Sequence, residues 1–306
     1  MPKPKRFAKM AVSVIVAFVA LAGCGNNDAP NHPTTTHTAS ATHSIPPVPS
    51  IEGNTIVRLS TAPVVNDSGL LPYLQPVFEN KTGYKLEIIS NSSDAAIELG
   101  ASGGADCLLV QADEQEKTFI KDGFGVKSFP FMRNYFVIIG PKNDPAKVKE
   151  AKSAAQAFQA IAASGAQFVS RGDDSSVHAV EMKLWAAAKI RPEGKDFYVS
   201  AGAGMGSSLR QANERDAYIL AEKTTFLSMK QSLDLDILLE KDAQLQNTYA
   251  IIAVSPEKLD DINIEGANAF VNWLLSNEAA QLISEYGKSQ FGEQLFYVLD
   301  DREKAK

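Results

Sequence analysis

The sequence predicts an α/β protein with two lobes joined by two extended crossings and a ligand cleft between them. From Thr55 onward, short β-branched runs alternate with amphipathic helical stretches, a pattern typical of a parallel sheet covered by helices. One long apolar run at 129–139 is followed by Gly- and Pro-rich turns at 140–145, which mark a boundary. A second α/β block and a closing pair of helices come after it, so the chain is expected to cross between two lobes twice.

The first block has strands rich in β-branched residues and helices with apolar residues at helical spacing. In chain order it contains strand 55–60, helix 69–81, strand 85–90, helix 95–99, strand 107–110 and helix 114–121.

The second block repeats this alternation and then returns to the first. It contains the Ala-rich helix 148–163, strand 167–170, helix 175–188, strands 197–200, 217–220, 235–238 and 249–254, and helices 266–276 and 278–286. We therefore expect lobe 1 to comprise 54–135 and 250–306, and lobe 2 to comprise 136–249.

Composition excludes several classes of protein. The 306 residues are 44% hydrophobic and 22% charged, so wholesale disorder, collagen and coiled coil are excluded. The net charge of −6 and the lack of a long basic block argue against nucleic acid as a partner. Two cysteines are too few for a disulfide scaffold or a Cys-rich zinc site, and Cys107 is interpreted as a buried strand cysteine.

The N-terminus predicts export. Four cations in the first nine residues precede an uncharged, mostly apolar run at 10–23, shorter than the ~20 residues that span a bilayer but suited to a signal peptide. Leu21-Ala22-Gly23-Cys24 resembles the lipobox of bacterial lipoproteins, which implies cleavage after residue 23 and a lipid anchor on Cys24 in the cell envelope. The alternative is an ordinary secretory signal. The residue after Cys24 is Gly25 and not the aspartate expected of retention in the inner membrane, so the sequence does not exclude an outer-membrane location.

A tether is predicted at 24–53, where Asn, Asp, Pro, Thr, Ser and Ala dominate and little can be buried. It contains His32, His37 and His43. Spaced histidines can chelate metal, but without fixed geometry or carboxylate partners a solvated tether is favoured. No metal or other cofactor is predicted.

The most informative motif is Ser170-Arg171-Gly172-Asp173-Asp174-Ser175, a strand, a turn and a helix start. A helix N-terminus favours anions, and arginine presents a fixed fork of charged donors to oxyanions. The alternative is a capped helix with a solvated arginine, because Asp173, Asp174 and Ser175 are all good N-caps.

Three further polar strand-to-helix junctions strengthen the prediction of a cleft site. They are Thr61 with Asp67-Ser68-Gly69, Ser90-Asn91-Ser92-Ser93-Asp94, and the Gly-rich turn 200–209, which fails as a dinucleotide motif because Ser207 replaces its third glycine.

Enzyme signatures are weak. The sequence has no G-x-S-x-G, P-loop or H-E-x-x-H motif, so we predict that the protein is not an enzyme. Asp174, Ser175 and His178 lie within one helical turn, which leaves a secreted hydrolase as the weakest alternative, since catalytic triads usually gather residues from distant segments.

Several stretches resemble the tungstate-binding proteins of ABC transporters, in one unbroken order from about Thr55 to Tyr286. They are Asp67-Ser68-Gly69-Leu70-Leu71-Pro72-Tyr73-Leu74 with Lys81-Thr82-Gly83-Tyr84, Gly104-Ala105-Asp106-Cys107-Leu108-Leu109-Val110, Asn134-Tyr135-Phe136-Val137-Ile138-Ile139-Gly140-Pro141, the motif at 170–175 with His178 and Glu181, and Gly204-Met205-Gly206.

This resemblance implies a periplasmic-binding-protein type II fold that closes around a tetrahedral oxyanion, tungstate or molybdate first. It also implies ABC permease subunits as partners, and a monomer is expected. Arg171 would be the charge partner, and Asp174 matches the family motif. Hydroxyl donors would come from Thr61, Ser93 and Ser175, and main-chain N–H donors from Ser68, Ser176 and Ser207.

The sequence departs from the family at several donors. The family's T-T-T-S reads Thr61-Ala62-Pro63-Val64 here, its G-T-G-Q reads Ser92-Ser93-Asp94-Ala95, and its Gly-Thr after Ser175 reads Ser176-Val177. A carboxylate at Asp94 would repel an unprotonated dianion, whereas hydrogen phosphate could donate a proton to it. A diverged paralogue that binds another small anion, or an envelope sensor or interaction lipoprotein, is therefore the alternative.

Overall fold

The computed structural model describes residues 53–173 and 175–300, without the side chain of Ser93. The predicted signal peptide 1–23, Cys24, the three tether histidines and Asp174 lie outside these residues. Within the described ranges, no helix combines the length and apolar character needed to cross a membrane.

Strands and helices alternate along the described chain. The strands are β1 Ile56–Thr61, β2 Lys85–Ser90, β3 Cys107–Gln111, β4 Gly125–Pro141, β5 Phe168–Ser170, β6 Tyr198–Ser200, β7 Ile219–Glu222, β8 Leu235–Leu239, β9 Gln246–Val254 and β10 Tyr297–Val298. The helices are α1 Pro63–Asp67, α2 Leu70–Thr82, α3 Ser93–Ala101, α4 Glu114–Lys121, α5 Ala154–Ser164, α6 Ser176–Ala187, α7 Met205–Glu214, α8 Lys223–Met229, α9 Ile264–Leu274, α10 Asn277–Glu285 and α11 Lys288–Phe291.

The main sheet is mixed, with strand order β10-β4-β9-β3-β1-β2. β1 pairs in parallel with β2 and β3, as the βαβ alternation predicts. β9 pairs antiparallel with β3 and with β4, so the sheet is mixed where these strands join it. The reason is that β4 leaves this sheet while β9 returns to it, so the two run in opposite directions.

The long strand β4 belongs to two sheets. Its residues from Gly125 to Tyr135 pair with β9, and those from Phe136 to Pro141 pair with β7 and β8. The register with β9 shifts between Pro130 and Met132, where proline lacks the N–H that a regular ladder requires. β4 and β9 are therefore the two crossings that the sequence predicts.

Three hydrophobic clusters fill the interior of the described part of the chain. In β3, Cys107 and Leu109 pack into one cluster while Leu108 and Val110 pack into another, because successive side chains point to opposite faces of a sheet. The third cluster runs from Phe136 to Leu245. We call the elements packed on the first two clusters the first lobe, and those packed on the third the second lobe. Cys107 is fully buried, as predicted.

One predicted helix begins later than expected. The Ala-rich stretch predicted as helix 148–163 contains a 3₁₀ turn at Val148–Glu150, an extended residue at Ala151 and then α5. Ser153 caps α5, where its Oγ accepts a hydrogen bond from the main-chain N of Gln156 at 3.2 Å. High alanine content predicts a helix but not its start, which this cap determines.

Candidate functional site

A cleft of about 1130 Å³ is lined by residues from both lobes. Six helices begin at it. Residues of their first turns or caps line the cleft: Pro63 and Val64 of α1, Ser92 and Asp94 at α3, Asp113 and Glu114 at α4, Ser175 and Ser176 at α6, Met205 and Gly206 of α7, and Glu222 with Thr224 and Thr225 at α8. The N-termini of these helices, with the positive ends of the helix dipoles, therefore face one volume.

Arg171 lines this cleft, and its side chain is only 15% exposed. Its Nε and Nη2 donate to Oδ2 of Asp173 at 3.0 and 2.6 Å. Its Nη1 lies 3.7 Å from Oε1 of Glu222. The guanidinium is thus held in the cleft between two carboxylates of the protein itself.

The turn that carries Arg171 requires glycine at its next position. Gly172 has a φ of +57°, and a Cβ there would lie 1.9 Å from Oγ of Ser200. The main-chain N of Gly172 also donates to Oγ of Ser170 at 3.1 Å. A side chain at Gly172 would therefore clash with the side chain of Ser200 and strain the turn that carries Arg171.

α6 begins directly beyond this turn. Oγ of Ser175 accepts a hydrogen bond from the main-chain N of His178 at 3.4 Å, so Ser175 is the cap that its residue type predicts. The main-chain N of Ser175 donates to Oδ1 of Asp173 at 3.3 Å. Ser175 therefore contacts the main chain of His178 as a helix cap.

The cleft contains more carboxylates than those that the sequence predicts, Asp94 and Asp174. Asp94 lines the cleft and accepts a hydrogen bond from Nε2 of Gln115 at 2.7 Å. Among the described lining residues, the acids are Asp67, Asp94, Asp113, Glu114, Asp173 and Glu222, and the cations are Lys117, Arg171 and Lys183.

Two of these acids are compensated nearby. Asp113 caps α4 by accepting from the main-chain N atoms of Gln115 and Glu116 at 2.9 and 3.2 Å. Glu114 pairs with Lys117 at 2.6 Å. An anion in the cleft would therefore be attracted by the helix N-termini and Arg171 and repelled by the remaining carboxylates.

Glu222 ends β7 and lies beside Arg171. Burial raises the pKa of its carboxyl, an effect that the Arg171 guanidinium opposes and that Asp67 and Asp173 reinforce. Oγ1 of Thr225 donates to Oε2 of Glu222 at 3.0 Å. Glu222 is therefore a titratable group that faces the cleft at the point where the second lobe contributes to it.

The structure brings together only some of the predicted site residues. Arg171, Ser175 and Ser176 line the cleft. Ser93 is the first residue of α3, next to the lining residues Ser92 and Asp94.

Three predicted donors are engaged in local hydrogen bonds and are not among the described lining residues. Buried Thr61 donates its hydroxyl to the carbonyl of Leu109 at 2.7 Å. The main-chain N of Ser68, the predicted donor, donates to the carbonyl of Asn66 at the end of α1, and its hydroxyl donates to the carbonyl of Val65 at 2.6 Å. The main-chain N of Ser207 donates to the carbonyl of Gly204 at 3.0 Å.

Sequence reasoning missed the contribution of β7 and α8. Glu222, Thr224 and Thr225 line the cleft, and they form a strand-to-helix junction of the same kind as the other four. The signal was present in the sequence as a predicted strand at 217–220 followed by polar residues 222–225, but the strand end was placed two residues early.

Comparison with known proteins relates the whole chain to solute-binding proteins. The model of the PBP superfamily domain matches residues 34–278. The tungstate-binding protein TupA of Peptoclostridium acidaminophilum is 39% identical over 95% of this chain and 98% of its own length. A putative ABC transporter anion-binding protein of Haloferax volcanii is 38% identical over 92% of this chain and 82% of its own.

A solved structure shows the same fold. The tungstate-binding protein TupA from Desulfovibrio alaskensis G20 superposes with a TM-score of 0.75 at 34% identity, over 80% of this chain and 99% of that one. The predicted two-lobed, type II fold is confirmed by this match and by the family model. The chain belongs to the PBP superfamily, within the family of the tungstate-binding proteins of ABC transporters.

Proposed function

We propose that this protein is the solute-binding component of an ABC importer and that it captures a tetrahedral oxyanion, tungstate or molybdate, in the cleft between its lobes. The observation that carries the proposal is the position of Arg171, a largely buried guanidinium in the turn between β5 and α6, in a cleft where six of the described helices begin. Relatives named for binding tungstate or an anion match nearly the whole chain.

The site would bind its ligand reversibly, and no covalent bond of the ligand would be formed or broken. Arg171 supplies the fixed charge, Ser175 a hydroxyl donor and Ser176 a main-chain N–H, all within one strand, turn and helix start. Asp174 is retained as a ligand-site residue on the strength of the family motif. Thr61, Ser68, Ser93 and Ser207 are proposed as ligand contacts on the strength of the family resemblance. Because the hydrogen bonds of Thr61, Ser68 and Ser207 each lie within one lobe, the ligand would have to replace them.

The cellular setting follows from the N-terminus and the family. A lipid on Cys24 would anchor the protein at the envelope, the tether would carry the lobes away from the membrane, and a monomer would deliver the anion to the permease subunits. The residue limits proposed for the lobes remain 54–135 with 250–306, and 136–249.

Hydrogen phosphate is a second candidate ligand, favoured by a specific observation. Asp94, Asp173 and Glu222 face the cleft, and a carboxylate can accept the proton that hydrogen phosphate carries and tungstate lacks. In this case the protein would be a diverged paralogue, as transporter or envelope sensor.

A thermal-shift and calorimetry series tests these alternatives. Micromolar tungstate should raise the melting temperature, and Arg171→Ala should abolish the shift while the unliganded protein stays folded. Arg215→Ala is the matched control, because Arg215 is exposed at the end of α7. Tighter binding of phosphate than of tungstate would favour the second candidate. No response to tungstate, molybdate, phosphate or sulfate would contradict both.

A further inference from the structure

The carboxylate of Asp173 uses the donors that a bound oxyanion would need. Its Oδ2 accepts from Nε and Nη2 of Arg171 at 3.0 and 2.6 Å, and its Oδ1 accepts from the main-chain N of Ser175 at 3.3 Å. These are a guanidinium edge and a helix N-terminus, the two kinds of donor that favour anions.

The same donors cannot serve Asp173 and a ligand at once. The Nε–Nη2 edge of Arg171 presents two parallel N–H groups, the arrangement that suits bidentate binding of an oxyanion. Asp173 occupies that edge, while Nη1 lies on the side of Glu222 at 3.7 Å. A ligand that reaches the better edge has to displace a carboxylate of the protein.

Asp173 is placed so that it can leave. It lies in a bend between Gly172, with a φ of +57°, and the cap of α6. Its side chain is 21% exposed, so rotation about its own side-chain bonds can take the carboxylate to water. Although burial acts to raise the pKa of Asp173, hydrogen bonds from Ser175 and Arg171 lower it, and the group is therefore charged at neutral pH.

We propose that Asp173 competes with the anion for Arg171: its carboxylate holds the guanidinium in the cleft and weakens binding until a ligand displaces it. This inference rests on the proposed function and adds a regulation of the same site. A ligand gains net affinity only by the amount that its interaction with Arg171 and the α6 N-terminus exceeds that of Asp173. The device would select multiply charged tetrahedral anions, which interact more strongly with the guanidinium than carboxylates or other single charges.

The test compares the tungstate affinity of the wild type with those of Asp173→Asn and Asp173→Ala, by calorimetry at fixed salt. Asparagine keeps the shape and removes the charge, whereas alanine removes both. Charge-assisted hydrogen bonds in partly exposed sites lead us to expect about tenfold tighter binding for each variant. Glu114→Gln is the matched control, because Glu114 also faces the cleft but pairs with Lys117 instead of Arg171. It should change the affinity by less than about twofold.

The outcomes distinguish the inference from the proposed function. Tighter binding by both Asp173 variants, with the control near the wild type, supports competition. Equal or weaker binding by both, with melting temperatures of the unliganded proteins showing that they are folded, would overturn it and make Asp173 a residue that positions Arg171. If the wild type and both variants bind none of tungstate, molybdate, phosphate or sulfate, the proposed function fails as well.

Discussion

Replacing Ser175 by alanine should separate two proposed roles of this residue, which are to cap α6 and to donate a hydrogen bond to the ligand. Ser175 caps α6 through a hydrogen bond of 3.4 Å from the main-chain N of His178, and it also lines the cleft. Loss of an N-cap hydroxyl costs about 0.5–2 kcal/mol, and because this hydrogen bond is long we expect the unfolding free energy to fall by about 0.5 kcal/mol. Loss of a hydrogen bond to a charged ligand costs about 1.5–3 kcal/mol, which weakens the tungstate Kd roughly 10- to 150-fold.

The chain offers a matched control in a second serine cap. Ser276 caps α10, where its Oγ accepts from the main-chain N of Ala279 at the same 3.4 Å, and it is not among the described residues that line the cleft. Urea unfolding should give similar stability losses for Ser175→Ala and Ser276→Ala. Calorimetric titration with tungstate should show weaker binding for Ser175→Ala alone.

Two results would refute this reasoning. A wild-type Kd in Ser175→Ala would show that its hydroxyl makes no contact with the ligand. Equal losses of affinity in both serine variants would show that helix stability, and not a donor at the start of α6, controls binding.

Three other predictions concern stability and reactivity. Burial raises the folded-state pKa of Glu222, so between the ordinary glutamate pKa and this raised value the folded protein holds a proton that the unfolded chain has released. Stability should therefore fall as pH rises through this range. Glu222→Gln should flatten the fall in thermal melts, and an unchanged pH profile would contradict the prediction. Asp106 is fully buried and accepts from Nε and Nη2 of Arg58 at 3.1 and 2.6 Å, so Asp106→Asn should lower the unfolding free energy by roughly 3 kcal/mol in urea titrations, and a loss below about 1 kcal/mol would show that this pair is not a major constraint. Burial raises the pKa of the Cys107 thiol well above its ordinary value, so a thiol reagent should modify Cys107 only in denaturant, and rapid modification of the native protein would contradict its burial.

The sequence predicts the limits of a helix or strand well where residues within that element define its ends. α4 was predicted at its observed limits, Glu114 to Lys121, because Asp113 gives a clear cap and the apolar spacing continues to the end. The strand β2 was also predicted at its observed limits. The start of α5 was missed, because its alanines extend the helical pattern backwards past the Ser153 cap.

Pairings between distant segments could not be predicted in the same way. The sequence shows β4 as one long apolar run, but its division between two sheets depends on partners more than 70 residues away, such as Ile219 and Leu220 in β7 and Thr248 in β9. Periodicity reports which residues are buried in a strand, and it does not identify the neighbouring strand.

The candidate site shows the same limit. Arg171, Ser175 and Ser176 were identified because one strand, turn and helix start hold them together. Glu222 was missed because β7 reaches Arg171 only through the folding of the second lobe. Asp173 was interpreted as a cap, since its contact with Arg171 depends on the left-handed turn at Gly172.

The position of bound tungstate tests the central claim most directly. Anomalous scattering at a tungsten absorption edge, from crystals grown with tungstate, locates the metal without assumptions about the surrounding protein. We predict one strong peak in the cleft, in contact with the guanidinium of Arg171 and the start of α6 at Ser175. A cleft without a tungsten peak, or a tungsten atom bound only outside it, would contradict the claim that this cleft captures an oxyanion.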